Sequence, residues 1–279
     1  MLEWLVPLGG LWALQRLGVV ELDFPVRSRL RWRRGTPRLP HEPKAGLFTP
    51  EGQAEADRLV GRYGLEAWAE ASGRGAFECS LIYLQMLERA FEAGAVALPD
   101  RLEAVDIGPG DWFYVRAEHA FLTRWGTAEP RHVSLDGVEL DAWRLYLDLR
   151  TRADWAGAYL GDLPDVRYLP ADGITYNRPV DVALLFFPFL FMADHRAWGL
   201  PRKLLRPEAL LAHLVGRLKP GGLLFIANQG SAERELQHRL LAASGLTVRW
   251  WDRYASPLAG FDPEWYTTVV VKDTPDREG

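Results

Sequence analysis

From Pro99-Asp100 onward the chain alternates short apolar runs with stretches of helical periodicity, and this alternation restricts the fold more than any other feature. Leu102 to Ile107, Val133 to Glu139, Val166 to Leu169, Val180 to Phe187 and Leu223 to Ala227 read as strands. Helical segments separate them: Phe113 to Trp125, one opening near Ala142, and one from Arg206-Pro-Glu through Leu218. A Ser231 cap predicts another to Ala243, with Gly245 just past its end. A parallel neighbour is reached only by a crossover, so strand-helix-strand order demands a parallel sheet covered on both faces. Leu246 to Trp251 and Trp265 to Val271 follow each other with no helix between, which adds an antiparallel member. The predicted fold is α/β, with seven mostly parallel strands, an antiparallel last strand and helices on both faces.

Residues 1–99 read differently, as a mainly helical extension or cap ahead of the domain at 100–279. Thr49-Pro50-Glu51 has the form of an N-cap with Pro in the first turn, opening a helix toward Tyr63. Phe77 to Phe91 carries an apolar stripe of Leu81, Leu84, Met86, Leu87 and Phe91, and Gly94 ends it. Between Val26 and Arg34 residues alternate, with Arg27, Arg29, Arg31 and Arg33 on one side, which predicts a half-buried strand with an arginine face. Beside Trp32 such a face suits phosphate binding; it suits equally an edge strand that uses charge against edge pairing. Trp4, Trp12, Trp32 and Trp68 fit an apolar substrate, a subunit contact or plain core.

Bulk properties exclude several classes. A formal net charge of -4 over 279 residues does not attract nucleic acid to the whole surface. The single cysteine, Cys79, excludes an internal disulfide framework and a thiolate zinc site, and fits the reducing cytoplasm expected here. Met1 to Leu14 is apolar, but Glu3, Pro7, Gly9 and Gly10 interrupt it and Gln15-Arg16 close it, so neither a secretory leader nor a membrane span is expected. His41, His119, His132, His213 and His238 have no metal-ligand spacing, and no metal site is expected.

Chemistry concentrates in the loop after the first of these strands, Val105-Asp-Ile-Gly-Pro-Gly-Asp-Trp112. Gly108 and Gly110 allow a sharp turn and a close ligand approach at the open carboxyl end of a strand. A dinucleotide fingerprint needs a small residue where Phe113 stands. Asp106 and Asp111 would repel a pyrophosphate, yet suit a ligand bearing an ammonium or sulfonium.

At this point the chain resembles the class I S-adenosylmethionine-dependent methyltransferase family, whose acidic-x-Gly-x-Gly motif is matched by Asp106-Ile-Gly108-Pro-Gly110. The resemblance covers roughly Leu102 to Lys272 and implies a Rossmann-like domain with S-adenosylmethionine as cofactor. It implies that Asp106, Gly108 and Gly110 hold the methionine end and that Glu139 grips the ribose hydroxyls, with Asp141 as fallback. Asp172 is implied beside the adenine, and Lys219-Pro-Gly-Gly222 resembles the family's turn into the fifth strand. Trp112 departs from the pattern, filling a position often small; its indole could stack over the cofactor or fill its space. Phe186-Phe187-Pro188-Phe189 replaces the polar-Pro-Pro-aromatic motif of amide and adenine N-methylation, which disfavours that acceptor class.

Phe186, Phe187 and Phe189 could line the cofactor's cationic end or be core. Asp194 and His195, in the loop after the fourth strand, are the candidate base and its orienting partner, or are solvated. Three functions stay open: a methyltransferase for an unidentified, small-molecule acceptor; a non-catalytic relative that binds or regulates; and an RNA or DNA methyltransferase using residues 27–34.

Overall fold

In the computed structural model, which describes residues 20–244, 246–260 and 264–273, β1 (Arg101–Ile107) lies between parallel neighbours β2 (His132–Glu139) and β4 (Val180–Phe186). β3 (Val166–Pro170) extends the sheet beyond β2, and β5 (Leu218–Gln229) extends it beyond β4, both in parallel. β7 (Trp265–Val271) is antiparallel to β5 and stands between it and β6 (Thr247–Tyr254). The order β3-β2-β1-β4-β5-β7-β6 is the seven-stranded, mostly parallel sheet expected from the alternation, with the last strand antiparallel. Strand order reverses direction between β1 and β4, so a crevice is expected outside their carboxyl ends.

Alternation along the strands sends side chains into two apolar layers. Leu102 and Ala104 of β1, Val182 and Leu184 of β4 and Phe225 of β5 face one layer. There they meet α2 (Pro50–Tyr63), α4 (Arg74–Ala93) and α5 (Val115–Arg124) through Leu59, Leu87, Phe91 and Phe121. Val105, Ile107, Leu185, Leu224 and Ile226 face the other, against α8 (Pro207–Arg217) and α9 (Gly230–Ala243) through Leu211, Leu214 and Leu241. The helices at 50–93 therefore share the hydrophobic core of the sheet. Thr49 caps α2 as its sequence predicts, accepting the Gly52 N–H at 3.2 Å. α3 (Glu66–Ala71) is a single short turn between α2 and α4.

Three predicted elements are corrected. Val26 to Arg34 is no strand: α1 (Val20–Leu30) covers its first part and the chain continues as irregular backbone. Arg27 pairs with Asp23 one turn earlier and reaches Asp141 at 2.7 Å and the Gly199 carbonyl at 3.0 Å, so a tertiary contact overrides the period-two pattern. Arg33 donates to the Ala153 carbonyl, and the Arg34 and Gly35 backbone amides donate to Asp154. The expected arginine face is thereby partly spent on the protein itself, while Val26, Leu30 and Trp32 are exposed.

The helix predicted from Ala142 begins ten residues later, as α6 (Arg152–Leu160). Thr151 and Asp154 form a reciprocal capping box, Thr151 Oγ1 accepting the Asp154 N–H at 3.1 Å and Asp154 Oδ2 accepting the Thr151 N–H at 3.0 Å. Ser231 does not cap α9. Glu264, at the approach to β7, accepts the Ser231 N–H, and Glu233 accepts the Gln229 N–H. Trp4, Trp12, the apolar run at 1–14 and Gly245 lie outside the described residues. Among those described, no helix is long and apolar enough to cross a membrane.

Candidate functional site at the carboxyl edge of the sheet

β1 delivers its loop to the switch point with Gly108 at φ +79° and Gly110 at φ +67°, conformations that L side chains rarely adopt. A Cβ placed on either glycine would meet nothing within 4 Å, so this side of the loop is an open cradle. The Gly108 N–H donates to the Val138 carbonyl at 2.9 Å. The Gly110 N–H donates to Glu139 Oε2 at 2.8 Å, and the Tyr168 hydroxyl donates to the Gly110 carbonyl at 2.6 Å. The loop is thus tied to the ends of β2 and β3.

Glu139 is buried, and burial raises its carboxyl above the ordinary range while Arg152 opposes the shift. Its other oxygen accepts the Asp141 N–H at 2.7 Å and faces the buried Arg152 guanidinium at 3.3 Å. Burial also works against ionisation of Asp141, but Arg144, Arg152 and Arg27 outweigh it and hold that carboxyl below its usual value. Asp141 is therefore an anchor for three arginines.

Trp112 turns away from the cradle. It adopts φ +56° and is 0% exposed, with its indole against β2, where a Cβ on Gly137 would come within 2.5 Å of the ring. Its Nε1 donates to Glu118 Oε2 at 2.8 Å. Asp106 is also fully buried, accepting the Tyr114 hydroxyl at 2.5 Å through Oδ2. Its Oδ1 and Glu118 Oε1 have no hydrogen-bond partner among the described residues. Burial pushes Asp106 up to about 7 and Glu118 well above its usual range.

The end of β4 is aromatic. Phe186 is buried under Tyr83 of α4, the rings stacked at 4.7 Å and 14°, and Tyr83 also contacts Tyr114 at 4.6 Å. Phe187 sits at φ +53°, strained for a non-glycine residue, and donates its N–H to the Ala227 carbonyl at 2.8 Å. Asp172 caps a short turn by accepting the Ile174 N–H at 3.2 Å and pairs with Arg206. Asp194 and His195 lie in a helix, α7 (Met192–Ala197), where a loop was expected. Asp194 is exposed, whereas His195 is buried with Nε2 at 2.8 Å from the Pro201 carbonyl.

The fold therefore brings Asp106, Gly108, Gly110, Glu139 and Phe186 to one edge, with Asp172 on the turn beyond β3. Tyr83, Tyr168, Arg152 and Asn228 join them without having been singled out. Tyr83 and Tyr168 look like ordinary members of an apolar helix stripe and a strand. Asn228 did carry a signal: it is the polar residue directly after the apolar run 223–227, at a strand's carboxyl end.

No family model and no curated protein matches the sequence. Solved structures are similar at low identity. TrmN from Thermus thermophilus has 18% identity and a TM-score of 0.45, over 69% of this chain and 48% of that one, so this chain spans about half its length. The [4+2]-cyclase SpnF has 16% identity and a TM-score of 0.46, over 87% of this chain and 100% of that one. A ribosomal protein L11 methylase from Lactobacillus delbrueckii subsp. bulgaricus has 11% identity and a TM-score of 0.46, over 68% and 79%. At such scores the likeness carries no functional argument, and the fold assignment rests on the strand order above.

Proposed function

We propose that the chain binds S-adenosylmethionine at the carboxyl ends of β1 and β2 and transfers its methyl group to a small-molecule acceptor. The observation that carries this reading is the Gly108–Gly110 cradle, open on its ligand side and tied to Glu139 at the switch point. Gly108 and Gly110 would let the cofactor approach the backbone, Glu139 would meet the ribose, Asp172 would stand near the adenine, and Phe186 would lie beneath the reacting end. Glu139 already accepts two backbone N–H groups and faces Arg152, which leaves about one lone-pair position for a hydroxyl. The donor set thus fits the cofactor through a single ribose contact.

When bound, the cofactor supplies an electrophilic methyl on a sulfonium, displaced in line by the acceptor. What this chain's residues contribute is alignment and water exclusion. Tyr83, Phe186 and Phe187 present apolar faces that suit a cationic centre. A strong nucleophile needs no general base, which agrees with the burial of His195.

A non-catalytic binding role is the second reading, favoured by the prior engagement of both Glu139 oxygens and by the Tyr83–Phe186 stack. Methylation of nucleic acid is weakened as a reading because Arg27 and Arg33 are engaged within the chain, while Arg29 and Arg31 stay exposed. Calorimetric titration with S-adenosylmethionine and its demethylated product, on wild type, Glu139→Gln and Gly108→Val, tests the choice. Micromolar binding lost in both variants supports the cofactor reading. Absence of binding to folded wild type overturns it.

A further inference from the structure

Asn228 is fully buried at the carboxyl end of β5, yet neither its Oδ1 nor its Nδ2 has a hydrogen-bond partner among the described residues. A buried amide left unpaired forfeits its hydration without compensation, and an apolar residue of similar size would avoid that cost. Its direction follows from the strand. Phe225 and Ala227 face the layer with α4 and α5, Leu224 and Ile226 face the layer with α8 and α9, and Asn228 continues the second set.

On that side the first turns of α9 are polar. Glu233 and Gln237 stand one turn apart ahead of buried Leu241, and Gln237 is itself buried. Glu233 is half-buried and accepts the Gln229 N–H at 2.8 Å. Burial raises its carboxyl to about 7, with the Asp194 charge adding to the shift. Across the ladder Asn228 faces Tyr266, and the strained Phe187 directly follows the end of neighbouring β4. Gln229, the next residue of β5, is exposed.

We propose that Asn228, with Glu233 and Gln237 beside it, is a specificity-determining subsite for a neutral amide-type edge on the small-molecule acceptor. The inference rests on the reading that this sheet edge is the reaction site. A carboxamide offers a donor and an acceptor side by side, and the group that satisfies both is planar with adjacent N–H and C=O, as in a lactam or a primary amide. An ionic group is disfavoured, because a carboxamide brings no charge to compensate a desolvated ion.

The test is NMR on the ¹⁵N-labelled full chain without cofactor, with the Asn228 side-chain amide assigned by its loss in Asn228→Leu. Titration with 2-pyrrolidone shifts that resonance saturably, and cyclopentanone, which lacks the N–H, binds roughly tenfold more weakly. In Asn228→Leu the saturable response of the neighbouring Gln237 side-chain amide disappears; if that variant does not fold, the smaller Asn228→Ser carries the comparison. An Asn228 resonance unmoved by 2-pyrrolidone in folded wild type overturns the proposal, as does equal binding of the two probes. Because no cofactor is present, this result is independent of the S-adenosylmethionine titration, and each reading fails on its own measurement.

Discussion

The Gly110 amide donates to the Glu139 carboxylate at 2.8 Å, so the loop after β1 and the end of β2 are held as one unit by a charge-assisted hydrogen bond. The same carboxylate compensates buried Arg152 at 3.3 Å. Position and charge at the candidate site therefore depend on a single side chain.

Removing that side chain leaves Arg152 with Asp141 at 3.8 Å as its remaining carboxylate. Glu139→Ala is expected to lower stability by roughly 3–5 kcal/mol, the range for breaking a buried ion pair. Glu139→Gln, which keeps an acceptor oxygen, is expected to cost less. Urea unfolding of the two variants checks the order; equal costs would refute the electrostatic account.

Glycines at the site differ in what they tolerate. Gly108→Ala meets no atom within 4 Å and suffers only its positive φ, about 1–2 kcal/mol. Gly137→Ala drives a methyl within 2.5 Å of the Trp112 ring, and overpacking of that kind costs about 1–3 kcal/mol or more. In Gly137→Ala the indole must also shift, so tryptophan fluorescence changes there and not in Gly108→Ala.

Burial raises Asp106 from 3.8 to about 7, so the folded state binds its proton more tightly than the unfolded state does. The sign follows from linkage: this group's contribution is fully present below about pH 4, is lost as pH rises, and is gone above about pH 7. Asp106→Asn keeps an oxygen for the Tyr114 hydroxyl and removes the charge. The variant is expected to gain stability relative to wild type as pH increases from 5 to 8, measured by denaturant midpoints at each pH. A difference that stays constant across that range would refute the assignment.

Arg27 bonds Asp141 in bidentate fashion, at 2.7 and 3.1 Å, and holds the segment at 20–35 against the loop after β2. Asp141 keeps Arg144 and Arg152, so Arg27→Met is expected to cost only about 1–2 kcal/mol, below the full penalty for a broken buried pair. Local opening should exceed the global effect. Limited trypsin digestion is expected to cut faster after exposed Arg29 and Arg31 in the variant, with the sheet domain left intact.

Strand positions, helix alternation and the glycine loop were legible in the sequence because each depends on local periodicity or on one residue type at one position, whereas the order of the strands in the sheet came only from the structure. Gly108 and Gly110 take the positive φ that their identity suggests, and Thr49 caps the helix it precedes. The segment at 26–34 misled for the opposite reason. Its alternation is genuine, but a helix held by Arg27 and Asp141, 114 residues apart, is what forms. Only the tertiary structure could decide which carboxylates face solvent and which are consumed: Asp106 turned to Tyr114, Glu139 to Gly110 and Arg152. Asn228 was visible as a letter at the end of an apolar run, but its lack of a partner exists only once β5 is packed beneath α9. Local preference is encoded by neighbours in the chain, whereas the pairing of buried polar groups is set by which distant residues share a low-dielectric space.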